Sequence, residues 1–186
     1  MNTSYLADNR YHHPAAHTIY KVARRHYPTE ILHTLSAAGV RVVPLSATTT
    51  YSAASPALRR LAASVDEWPG PPAGLFVIEE RTVYLRSLSH MTIVHELAHG
   101  LDVALGGGVY LSGVDPAIRR AFRDARAFVT PYAASGLDEY FAECVRAYVE
   151  ANDPRSPWPR ATRARLKALD PAMHAIVSAL FAQTPA

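Results

Sequence analysis

His95, Glu96 and His99 spell the pattern H-E-x-x-H inside the run IVHELAHGLD, residues 93 to 102. On a helix, residues four apart lie one above the other, so both imidazoles can reach a single ion. Glu96 leans over the same edge without lying between the two ligands. Its carboxylate is placed to hold a water beside the ion and take its proton. With 9 His in 186 residues, a random order of the same composition contains this pattern in roughly 2% of cases. The spacing thus supplies two metal ligands and a base, and a third ligand has to come from elsewhere in the chain.

The stretch YAASGLDEYFAECVRAYVE, residues 132 to 150, reads as an amphipathic helix from about Leu137. Its Glu139 and Glu143 are four apart and therefore share a face, on a helix that also turns Phe141, Val145 and Tyr148 toward a core. Carboxylates near a core need partners, because an unpaired buried charge is costly. A zinc ion and its histidines would supply them, which makes Glu139 the expected third ligand. Glu143, one turn on, is expected to accept the free ring N–H of a ligand histidine, His95, and so fix its tautomer. Asp102 competes for the ligand role, three residues past His99 on the same face. Three ligands on one straight helix cannot easily surround an ion tetrahedrally, so Asp102 is expected to brace a ligand or the helix instead.

The elements that must position these residues can be read from period and punctuation. Residues 1–27 are rich in Tyr and His, including His12, His13 and His17, and read as a peripheral arm with a helix over 17–26. Residues 28–38 form a helix that meets Gly39, and residues 40–45 form a short buried strand. Ser55 and Pro56 cap and start a helix with Leu58, Leu61, Ala62 and Val65 on one side, and EWPGPPAG ends it. Residues 74–79 and 82–86 form a β-hairpin that leads into the metal helix, which Ser87 or Ser89 caps and Gly106, Gly107 and Gly108 end. If its second arm is an edge strand, its unpaired backbone groups can hold an extended peptide. Thr82, Val83, Tyr84, Leu85 and Arg86 are therefore expected to bind substrate. The loop GGGVYLSG reads as a connector, followed by a helix from Asp115–Pro116 with Ile118, Phe122 and Phe128 on one face. Residues 158–169 and 170–181 read as two further helices, the second burying Met173, Ile176, Val177, Leu180 and Phe181, with His174 at its boundary. The expected fold is α+β: a small mixed sheet surrounded by helices, with the H-E-x-x-H and glutamate helices facing each other across zinc.

Composition narrows the alternatives. A chain of 186 residues suits one domain with a core of its own, and 49% apolar with 19% charged residues describes a globular protein. The lone Cys144 leaves no intramolecular disulfide and no Cys-rich metal site, so any metal must sit on N and O ligands. No run of 18 apolar residues is present, and the N-terminus lacks the basic and apolar regions of a Sec signal, so no membrane span is expected. That points to a cytoplasmic protein, to one exported by another route, or to one already trimmed. The net charge is +3. Arg119, Arg120, Arg123 and Arg126 fall on one solvated helix face, with no motif that reads nucleic acid. A monomer acting on a peptide or protein is expected.

HELAHGLD followed by a tyrosine and EYFAE resembles the catalytic domain of anthrax lethal factor and the related small Pro-Pro endopeptidases. The resemblance covers about residues 75–150. It implies a zincin-like fold, zinc held by His95, His99 and Glu139, and Glu96 as catalytic base. It further implies that Tyr132, seven residues before Glu139, stabilises the transition state of peptide-bond hydrolysis, and that Glu143 is the second glutamate of the helix. Two other readings fit the same motif. One is a zinc peptidase that cleaves a regulator, which usually travels with a DNA-binding partner. The other is an inactive, zinc-stabilised binding module.

Overall fold

The computed structural model describes residues 14–62, 65–157 and 160–182. At its centre lies a helix, α5 (His90–Leu105), whose residues from Thr92 to Val103 are buried without interruption. A helix covered on every side needs packing all round. Helices α1 (Pro14–His26) and α2 (Thr29–Ala37) cover one flank, a three-stranded sheet another, and α8 (Leu137–Tyr148) a third. Ser89 caps α5, its hydroxyl accepting from the Thr92 amide at 3.1 Å. Val94, one residue before the first motif histidine, receives a 2.8 Å hydrogen bond on its carbonyl from the buried Tyr27 hydroxyl. Residues 14–27, expected as a peripheral arm, therefore belong to the core through Ile19, Val22, Ala23 and Tyr27. His17 is exposed, and His12 and His13 lie outside the described residues.

The sheet has the order β1-β3-β2: β1 (Arg41–Pro44) runs parallel to β3 (Thr82–Leu85), and β2 (Gly74–Val77) runs antiparallel to it. The expected hairpin is present, and Arg81 turns it in the left-handed region with φ 48°. Its second arm, however, is the central strand. β3 is hydrogen-bonded on both sides and buried at all four positions, so Thr82, Val83, Tyr84, Leu85 and the following Arg86 offer no free edge to a peptide. The uninterrupted apolar character of Val83, Tyr84 and Leu85 is what a strand covered on both faces shows. Val83 and Leu85 face the main core, and Tyr84 faces a smaller cluster with Tyr51, Leu58 and Val65. The edge strand beside α5 is β2.

The smaller cluster braces the segment that leads into β2. Two short helices, α3 (Tyr51–Ala54) and α4 (Pro56–Arg60), stand over it, and Ser55 caps α4 as expected. The predicted single helix stops at Arg60, leaving Leu61 exposed and Val65 in a separate 3-10 turn. Asp66 accepts from the amides of Tyr51 (2.8 Å) and Ser52 (2.9 Å) and from Arg86 (2.7 Å). Arg86 lies over the Tyr51 ring, 4.5 Å from its centroid, and the Tyr51 hydroxyl donates to the Pro72 carbonyl at 2.7 Å.

Beyond α5, a four-residue helix α6 (Leu111–Val114) precedes α7 (Pro116–Asp124). Asp115 caps α7 through the Ala117 and Ile118 amides, and Arg119, Arg120 and Arg123 lie exposed. That helix ends at Asp124, because Ala125 is extended (ψ 124°), and Phe128 meets Phe122 from the following loop. Helices α9 (Arg163–Leu169) and α10 (Pro171–Ala182) close the core against α8. The first begins later than expected, and Trp158 lies outside the described residues. No described helix is long and apolar enough to cross a membrane.

Burial pushes the Asp66 carboxyl up, but the Ser52 and Tyr51 donors and Arg86 outweigh it and hold it below the usual range. A carboxyl with a lowered folded-state pKa stabilises the fold above the unfolded value, and that stability is lost as pH falls through the folded value. Asp66→Ala is expected to cost about 1–2 kcal/mol, a drop of roughly 3–8 °C in Tm at pH 7. The gap from wild type should close as melts are repeated at pH values below about 4. An equal gap at pH 7 and pH 3 would assign the effect to packing.

Candidate metal centre

Helices α5 and α8 pack directly on each other, and their facing residues bring His95, His99 and Glu139 to one point. His95 Nε2 lies 3.2 Å from His99 Nε2 and 3.1 Å from Glu139 Oε2, which is 3.5 Å from His99 Nε2. A tetrahedral ion with bonds of about 2.0–2.1 Å holds its ligands about 3.3–3.4 Å apart. The observed triangle matches that edge length.

The donors also fit a cation on their own terms. Oε2 of Glu139 is buried and accepts no hydrogen bond by angle, although both imidazoles stand within contact distance. A buried carboxylate oxygen without a donor is destabilising unless a cation meets it. Two imidazoles and one carboxylate suit zinc, copper, iron or nickel better than magnesium or calcium.

Around this triangle the geometry orients each group. His95 Nδ1 lies 3.0 Å from Glu143 Oε1. With Nδ1–H donating there, a neutral His95 would turn its Nε2 lone pair toward the centre, the arrangement a metal ligand needs. Glu143 also accepts from the Thr130 hydroxyl (2.5 Å) and from both arms of Arg146 (2.8 and 2.7 Å). Burial disfavours a charge on His95, yet Glu139 and Glu143 together outweigh it and raise its pKa. Burial likewise pushes both glutamates up, but their histidine and arginine partners hold them well below the usual carboxylate range.

Glu96 is buried beside the triangle, and that burial raises its pKa despite the nearby histidines. The amide of Phe76, on the edge strand, donates to its carboxylate. This approach depends on Gly74: a Cβ there would sit 2.5 Å from Glu96 Cγ, inside any van der Waals contact. Gly74 has no left-handed φ, so space, not backbone freedom, excludes a side chain. Tyr132 stands in a 3-10 turn before α8, about half exposed, and its hydroxyl donates to Glu139 Oε1 at 2.8 Å. Its ring lies 5.7 Å from that of His95.

Asp102 is not part of the triangle. It accepts from the Ser112 amide (2.8 Å) and hydroxyl (2.6 Å), and burial pushes its pKa up to about 6. In this way it ties down the glycine loop and sets Tyr110 6.2 Å from His99, ring to ring. The cleft beside the centre, about 210 Å³, is lined by Pro72, Ala73, Gly74, Met91, Thr92 and Tyr132 with His95, Glu96, Glu143 and Arg146. The expected substrate strand, Thr82–Arg86, contributes nothing to that wall. Sequence reasoning missed Gly74, Thr130, Tyr110 and Arg146. Of these, only Arg146 left a signal, a third charged residue on the face of α8 that carries Glu139 and Glu143.

No protein-family model matches the chain, and no curated protein matches it. Among solved structures, it is similar to the Pro-Pro endopeptidase PPEP-2 from Paenibacillus alvei. The TM-score is 0.62 at 24% identity, and the match covers 92% of this chain and 94% of that one. The likeness thus takes in the N- and C-terminal regions, where the sequence alone offered no resemblance. The two chains share an α+β, zincin-like fold.

Elemental analysis of protein dialysed without chelator should find about one divalent ion per chain, with little left in His99→Ala and Glu139→Ala. Asp102→Asn should keep its ion. Full metal content in Glu139→Ala, or its loss in Asp102→Asn, would move the third ligand to Asp102.

Proposed function

We propose that this chain is a zinc-dependent endopeptidase that hydrolyses peptide or protein substrates as a monomer. The observation that carries this reading is the position of Glu96, held between the His95–His99–Glu139 triangle and the edge strand β2. That places a base between a site for a Lewis acid and a backbone on which an extended peptide can lie.

The strand geometry supports the second half. The Ala73 carbonyl accepts from the Arg86 amide, so by alternation residues 73, 75 and 77 face β3. Backbone groups of Gly74 and Phe76 therefore point away from β3, on the side of the cleft that Gly74 lines. Since Glu96 takes the Phe76 amide, those offered to a peptide are the Gly74 groups and the Phe76 carbonyl. This transfers the substrate-holding role from Thr82–Arg86 to β2. A peptide added antiparallel or parallel to that edge would lie with a carbonyl near the triangle.

Zinc, when bound, supplies Lewis acidity, lowering the pKa of a water toward neutrality and polarising a carbonyl. His95, His99 and Glu139 would hold it. Glu96 accepts the proton of the attacking water and later gives it to the leaving amine. Burial raises the pKa of that carboxyl, the direction that favours proton uptake there. Tyr132 exchanges its bond to Glu139 for one to the developing oxyanion, from a turn that leaves the ring half exposed to the cleft. The similarity to a Pro-Pro endopeptidase supports peptide as the substrate class.

In a peptide-library digest analysed by mass spectrometry, wild type should cleave. Glu96→Gln should keep its metal and lose on the order of 10²–10⁴-fold in kcat/KM. Tyr132→Phe should keep its metal and lose on the order of 10²-fold, mainly in kcat. Gly74→Ala should also keep its metal while displacing Glu96, at a cost on the order of 10²-fold. Undiminished cleavage by Glu96→Gln would falsify the mechanism. A partner-binding role that survives Glu96→Gln, with no cleavage by wild type, would favour the inactive binding module.

A further inference from the structure

Arg146 is the largest fully buried side chain among the described residues, at 2% exposure, and nothing in the proposed reaction uses it. It sits on α8 one turn past Glu143 and grips that carboxylate with a fork: Nε to Oε1 at 2.8 Å and Nη2 to Oε2 at 2.7 Å. Its remaining nitrogen, Nη1, reaches the Ala151 carbonyl at 3.2 Å and Asn152 Oδ1 at 3.4 Å, which anchors the fork to the loop after the helix. Both Glu143 oxygens are then shared. Oε1 also meets His95 Nδ1 at 3.0 Å, and Oε2 also accepts from Thr130 at 2.5 Å.

A two-point guanidinium fork fixes the plane of a carboxylate, which a single ammonium cannot do. With its plane fixed, Glu143 has one lone-pair direction left for His95, and the imidazole must donate from Nδ1 in one ring orientation. We propose that Arg146 is a positioning residue for the metal centre: through Glu143 it sets the ring of His95, and with it the affinity for zinc. The inference rests on the three-ligand reading of the centre. It does not depend on what the centre does to a substrate.

Coulomb's law alone makes the opposite forecast. Removing a cation near a divalent ion should tighten binding of that ion, whereas loss of orientation should weaken it. The sign of the change separates the two. Zinc affinity is read by competition against a chromophoric chelator at fixed pH, and the fold by circular dichroism melts of the metal-free protein. Arg146→Met should bind zinc about 10–100-fold more weakly than wild type. Arg146→Lys keeps the charge and loses the fork, and should also weaken binding. In a Glu143→Gln background, Arg146→Met should bring no further loss, because its route to His95 has already been altered.

Unchanged or tighter zinc binding in Arg146→Lys or Arg146→Met with a cooperative melt would overturn the proposal. So would an equal loss with and without Glu143→Gln, which would make the role merely structural. Should Arg146→Met fail to fold, Arg146→Lys and its cycle with Glu143→Gln decide the matter. A wild-type chain that binds no zinc would sink this inference and the metal centre together. One that binds zinc and cleaves no peptide would sink only the peptidase reading.

Discussion

Everything in this structure is arranged around one costly contact, the place where two buried helices turn charged and polar groups toward each other. α5 is covered on all sides yet carries His95, Glu96, His99 and Asp102, and α8 answers with Glu139, Glu143 and Arg146. Groups of this kind cannot be taken out of water singly. They are tolerated because each meets a partner: Glu143 meets His95, Thr130 and Arg146, Asp102 meets Ser112, and Glu96 meets the Phe76 amide. The triangle His95–His99–Glu139 keeps a buried carboxylate oxygen that both imidazoles approach without a well-aligned hydrogen bond, a donor set that could hold a metal ion.

The sheet has a different task. Its small size is adequate because its work is to carry β2 past Glu96, and the second apolar cluster holds that strand's approach in place. Tyr51 ties down Pro72, and Arg86 and Asp66 tie down Tyr51 and the start of α3. Glu80 joins α4 to the hairpin through the Ala57 amide and the Tyr84 hydroxyl. The residues before α5 thus decide where the edge strand β2 lies beside Glu96.

What could be read in the sequence was what is local. The i, i+4 spacings of His95 with His99 and of Glu139 with Glu143 put each pair on one helix face, and the caps at Ser55, Ser89 and Asp115 follow from residue type and position. Pairing of Glu143 with His95 was accessible too, because a buried acid and a ligand imidazole each need the other. Strand order was not legible. β1 lies beside β3, across a long stretch of chain, and no turn residue encodes that crossover. The hint lay in Val83, Tyr84 and Leu85, a run without polar alternation, which marks a strand covered on both faces. Thr130 was missed for a related reason: a lone threonine acquires its meaning only from the carboxylate it meets in space.

Gly74 shows how a site can be specified by an omission. It brings no ligand, acid or hydrogen-bonding side chain, and its backbone angles are available to any residue, but a single methyl group at its Cβ would strike Glu96. A chain could therefore carry H-E-x-x-H and the downstream glutamates intact and still be unable to seat its carboxylate against the strand. Recognising sites of this architecture in sequence data calls for scoring the empty position as well as the occupied ones.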